Sequence, residues 1–148
     1  MRKTGARRIQ RPSVIQILYI FDPIDRIFDQ LDSDGMIHVD TRGVPVFCDC
    51  EGVWHPTVPA LLGWIELWER MKAKGRFQLD LEPLHKLCRK LELDTVLMED
   101  DVANAKAVIS ECRRLFRGMD TVAVASMVRD QQIAIEIHNR QAQDGQKG

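Results

Sequence analysis

The chain has 148 residues, 45% of them apolar and 29% charged, with a formal net charge of -1. That is ordinary for one globular domain with enough core to fold alone, and it argues against a surface that binds polyanions all over. No apolar run approaches the ~18 residues of a membrane span, and no signal-peptide pattern follows the basic N-terminus. Four cysteines in 148 residues do not form a disulfide framework, so a cytoplasmic protein with reduced thiols is expected.

Residues 1–12 hold Arg2, Lys3, Arg7, Arg8 and Arg11 and no acid. This composition predicts a flexible basic arm ahead of a globular domain over 13–140, with a polar tail over 141–148. Ser13 to Phe21, SVIQILYIF, is almost continuously apolar, and its length favours a buried strand over the alternative of a short helix. Asp22-Pro23 then has the form of an N-cap followed by the first helical residue. Ile24, Ile27, Phe28 and Leu31 follow at helical spacing.

The DSDG stretch at 32–35 ends that helix. A β-hairpin is expected next, with one strand over 36–40, a turn at Thr41-Arg42-Gly43 and a second strand over 44–50. Pro45 cannot donate to a ladder, which places this second strand at an edge or the proline at its start. Glu51 to Pro56 reads as a connection. A central helix over 57–74 follows, with Thr57 as N-cap and Gly75 as stop. Leu61, Trp64, Ile65, Trp68 and Met71 make its apolar stripe, which reads as core.

Further helices are expected from about Leu81 to Leu91 and from about Glu99 to Arg117. The second has acids in its first turn and arginines near its end, matching the dipole. Beyond Asp120 the periodicity is poor, and 120–140 is read as helix over hairpin on its composition. Together these elements predict an α+β fold: a small antiparallel sheet near the N-terminus with four or five helices.

Four constellations bear on chemistry. Gln30 to Thr41 can be laid on the twelve-position calcium loop, with Asp32, Asp34 and Gly35 in register. Gln30 and Thr41 stand where acids are needed, so a DSDG turn explains the same residues. Cys48 and Cys50, with His85 and Cys88 one helical turn apart, carry zinc-ligand types, His55 being a substitute. The expectation is nonetheless ordinary thiols, no bound metal and no cofactor. Cys48 or Cys50 with His55 and Asp49 holds the residue types of a thiol enzyme, but no catalytic or phosphate-binding motif is present. Finally, Lys106, Arg113 and Arg117 share a side of one helix and could extend the basic arm into a nucleic-acid surface.

The leading expectation is a non-enzymatic intracellular adaptor or regulatory protein that binds another protein. Its binding residues would be drawn from Arg2, Lys3, Arg7, Arg8, Arg11, Lys106, Arg113 and Arg117. The alternatives are a nucleic-acid-associated regulator that uses the arm and a small zinc-binding or thiol-dependent enzyme. No membrane partner is expected.

Overall fold

The computed structural model describes residues 10–34, 37–126 and 129. In chain order it has helix α1 (Val14–Asp34), strands β1 (His38–Val39), β2 (Pro45–Cys48) and β3 (Trp54–Pro56), and helices α2 (Thr57–Gly75), α3 (Glu82–Glu92) and α4 (Glu99–Arg117). Helical residues resume at 121–126. The fold is α+β, as the sequence predicts, with one antiparallel sheet in the order β1-β2-β3.

The stretch expected as a strand, Ser13 to Phe21, is instead the first half of α1. A reciprocal cap starts the helix: the Gln16 amide N–H donates to Ser13 Oγ (3.2 Å), and the Ser13 amide N–H donates to Gln16 Oε1 (2.9 Å). This is the S-x-x-Q capping box, which satisfies two of the orphan donors at a helix start. Ile20, Phe21, Ile24, Ile27, Phe28 and Leu31 pack on the core side, in one helical phase across the whole element. Asp22-Pro23 therefore begins no helix. Pro23 lies inside α1 and supplies no N–H to the carbonyl of residue 19. An interior proline costs about 3 kcal/mol; the core contacts on both sides of it hold the helix together. The neighbouring Ile20 carbonyl accepts the Trp64 indole N–H at 3.3 Å.

The sheet departs from expectation in one respect. Residues 54–56, read as connection, form β3, so β2 is the middle strand and not an edge. Pro45 is tolerated because it is the first residue of β2. Two matching turns build this meander. In Asp40-Thr41-Arg42-Gly43-Val44, Asp40 Oδ1 accepts from the amides of Arg42 and Val44 at 2.8 and 3.0 Å. In Asp49-Cys50-Glu51-Gly52-Val53, Asp49 Oδ1 accepts from Glu51 and Val53, both at 2.9 Å. Gly43 and Gly52 take φ of 79° and 84°, the left-handed conformation that a glycine adopts without strain. The D-x-x-G-V spacing is thus one turn used twice.

Helix α2 follows β3 with no intervening loop. Thr57 is not its N-cap: Pro56 holds that position, and Thr57 is the first helical residue, fully buried, with Oγ1 unpartnered among the described residues. The helix ends one residue later than expected, on Arg76 in the left-handed conformation. Gly75 serves a different purpose, since a Cβ there would stand 2.8 Å from the Phe77 ring.

The core is one cluster drawn from α1 to α4, from Phe47 of β2, from Leu79 and Leu81 ahead of α3, and from Val124. Its centre is Phe21. The ring lies 5.5 Å from Trp64, 6.2 Å from Trp68 and 5.8 Å from Phe116, with the Arg113 guanidinium 4.5 Å above it. Helices α3 and α4 are joined at buried Asp101. Its carboxylate accepts from Lys90 at 2.6 Å and from the Met98 amide at 2.9 Å, and pairs with Lys86 at 3.3 Å. The Lys90 hydrogen bond, then the Met98 amide, holds its pKa down at about 2. Asp120 opens the last helical stretch, accepting from the Val122 amide at 3.3 Å. That stretch is helical through 126, as expected; most of 127–140 lies outside the described residues.

Candidate functional site

A cleft of about 720 Å³ opens between the first half of α1 and the β2–β3 hairpin. Ile15, Leu18 and Pro23 of α1, Phe47 of β2 and Ala60 of α2 form its apolar lining. Asp22, Asp49, Cys50, Glu51 and His55 supply the polar part. Three of these side chains are carboxylates, and none is Lys or Arg.

The local fold explains each position. Ile15, Leu18 and Asp22 recur at i, i+3 and i+7, so they form a second stripe on α1 beside the core-facing one. The continuous apolar run at 13–21 is therefore two helical stripes, one buried and one lining the cleft. Val14, Ile15 and Leu18 are 73%, 78% and 56% exposed. A helix that is apolar on several sides normally buries all of them.

On the opposite wall, the Asp49 turn places Cys50 and Glu51 at the rim. Asp49 Oδ1 is committed to the turn amides, and Oδ2 lies 2.6 Å from His55 Nε2. The His55 bond, followed by the Val53 amide, keeps the Asp49 carboxyl below its ordinary range. The imidazole lies 5.6 Å from the Phe47 ring. Asp49 is thus a fixed negative charge, braced from three sides.

The residue types of the thiol reading partly converge here. Asp49 and His55 pair, and Cys50 lines the same cleft, while Cys48 stands on β2 opposite Trp54. No hydrogen bond joins Cys50 to the imidazole among the described residues; His55 Nε2 faces Asp49 instead.

The zinc set does not assemble: no group of three or more His, Cys, Asp or Glu able to hold a metal occurs among the described residues. His85 faces Glu69 at 2.9 Å, and the buried Cys88 thiol donates to the Val58 carbonyl at 3.9 Å. Desolvation pushes Cys88 up to about 11 and Cys112 to about 12, which marks both as core thiols. In the calcium-like stretch, the Gln30 amide donates to the Val46 carbonyl at 3.4 Å and Asp32 pairs with Lys106 at 2.6 Å. Gly35 lies outside the described residues.

The basic candidates are scattered in role. Arg2, Lys3, Arg7 and Arg8 lie outside the described residues. Arg11 donates to the Gly118 carbonyl, and the Gln10 carbonyl accepts from the Thr121 amide at 2.9 Å, so residues 10 and 11 are tied to the exit of α4. Arg113 pairs with Asp25 at 2.6 Å and Lys106 with Asp32, so both spend their charge joining α4 to α1. Arg117 is exposed at the end of α4.

Sequence reasoning missed the second stripe of α1 and Glu51. The signals were present: S-x-x-Q at 13–16 announces a helix, and the repeated D-x-x-G-V announces a second hairpin turn at 49–53. No helix among the described residues is long and apolar enough to cross a membrane. No family model matches the chain, and no curated protein or solved structure is significantly similar to it.

Proposed function

We propose that the protein is a non-enzymatic adaptor or regulatory protein that binds another protein through the cleft between α1 and the β2–β3 hairpin. The observation that carries this reading is the outer face of α1. Ile15 and Leu18 stand largely in water beside a concave apolar surface, while the same helix packs its other side into the core. Contiguous exposed apolar surface of this kind marks interaction sites, and a cleft lined by it excludes water when filled. The four cysteines are free, which suits a reducing compartment such as the cytoplasm.

The test is a pull-down with the full chain and with the double variant Ile15→Asp/Leu18→Asp, from native lysate treated with nuclease. Both positions are exposed, so the variant should keep the circular dichroism spectrum and melting temperature of the parent. A protein captured by the parent and lost from the variant supports the reading. A partner held equally by both would move the interface elsewhere. Capture that nuclease abolishes and that weakens steeply with salt would replace it with nucleic-acid binding through the arm.

A further inference from the structure

We infer that the segment received by this cleft is cationic and amphipathic: a short stretch of the partner with apolar side chains on one side and Lys or Arg on the other. The inference rests on the reading of the cleft as a protein-binding surface, and it specifies the chemistry of what binds.

The argument is one of charge placed over apolar surface. Asp22, Asp49 and Glu51 all line the cleft, and among the described residues no lysine or arginine does. Asp49 is the fixed member, its carboxylate oriented by two backbone amides and His55. Among the described residues Asp22 has only a loose exposed partner, Arg26 at 3.5 Å, one turn further along α1 and outside the cleft. Glu51 projects from the tip of the Asp49 turn, is exposed, and its carboxylate has no partner among the described residues.

Three like charges around one concavity reinforce each other's field, and low-dielectric walls focus it. An anionic segment or a phosphate backbone would be repelled. A cation would be drawn in, and complementary charge at a rim mainly accelerates encounter and selects partners. The apolar lining supplies what charge at a rim does not, namely area removed from water. Ile15 to Asp22 spans eight residues of α1, seven rises or about 10 Å along the helix. An occupant of about two helical turns, or a strand of about four residues, covers that length.

The experiment uses the full chain and two labelled synthetic peptides of about 12 residues, long enough for three helical turns. Both carry leucines at i, i+3, i+4 and i+7; one has lysines at the remaining positions and the other glutamates. Binding is read by fluorescence anisotropy at low and high salt, and mapped by amide chemical shifts. The lysine peptide is expected to bind at least about tenfold more tightly than the glutamate peptide, with salt weakening it. Shifts should centre on Ile15, Leu18 and the 49–53 turn, and Glu51→Lys should shrink the difference between peptides.

If both peptides bind alike, and both are lost in Ile15→Asp/Leu18→Asp, the charge inference falls while the cleft remains a binding surface. If neither binds, the inference falls, and the pull-down with the same variant decides the proposed function separately. A dimer of the protein alone that dissociates in the double variant also overturns the inference, because a second copy then fills the cleft.

Discussion

At the residue scale, Phe21 does more than its place in an apolar run indicates. It touches Trp64, Trp68 and Phe116 and lies beneath Arg113, so three helices meet on one ring. Truncating a fully buried aromatic side chain removes its transfer energy and leaves a cavity. Phe21→Ala and Trp68→Ala are each expected to cost about 3–5 kcal/mol in urea melts. Because the two rings touch, the double variant should lose less than the sum. A cost below about 1 kcal/mol for Trp68→Ala would mean that the side chain is not packed.

The thiols give a second prediction at this scale. Cys50 is exposed and Cys48 half-buried, whereas Cys88 and Cys112 are buried, with pKa values raised to about 11 and 12. Thiolate reactivity follows access and ionisation. A disulfide-exchange reagent should therefore titrate Cys50 first in native protein, and Cys88 and Cys112 only on unfolding. Equal rates at all four would show that the core opens readily.

At the scale of elements, Asp101 decides how α3 and α4 are joined. Two lysines of α3 converge on a buried carboxylate in the first turn of α4, which also caps its own helix through Met98. Its pKa falls from 3.8 to about 2. A depressed folded-state value stabilises the fold above the ordinary value, and that stabilisation is lost as pH falls from about 4 towards about 2. Asp101→Asn is expected to lower the melting temperature at neutral pH, with the gap to the parent narrowing across that acid window. A gap of the same size at both ends would assign the effect to packing and not to charge. Asp49 follows the same sign, its stabilisation fading as acid protonates the carboxyl that braces the turn.

At the scale of the whole molecule, the basic residues divide into those that assemble the fold and those available to partners. Arg113–Asp25 and Lys106–Asp32 bind α4 to α1, and Arg11 with Gln10 ties the approach to α1 to the end of α4. Removing residues 1–12 therefore deletes the two hydrogen bonds that residues 10 and 11 make to the exit of α4. Such bonds contribute about 0.5–1.5 kcal/mol each, less when exposed, so a loss of roughly 1 kcal/mol is expected in denaturant melts. An unchanged midpoint would show that the ties at residues 10 and 11 add nothing to stability.

The sequence by itself determined the fold class, the bounds of α4, the extent of α3 to within a residue and the buried stripe of α2. These follow from local rules: helical periodicity, dipole-matched termini and turn residues act over a few positions and are written in the chain. The hairpin turn at 41–43 was equally legible, because a glycine with positive φ leaves a mark. The first half of α1 reads as a strand in the sequence because a helical segment with two apolar sides has no polar phase to reveal its period. Only the packing shows that one side meets the core and the other the cleft. Long-range partnership was likewise decided by the tertiary structure. Lys106 and Arg113 share a helix side in the sequence, but only the approach of α1 brings aspartates to neutralise them. Asp22, Asp49 and Glu51 lie up to 29 positions apart in the chain, and it is the folding of the β2–β3 hairpin against α1 that gathers them around one cleft.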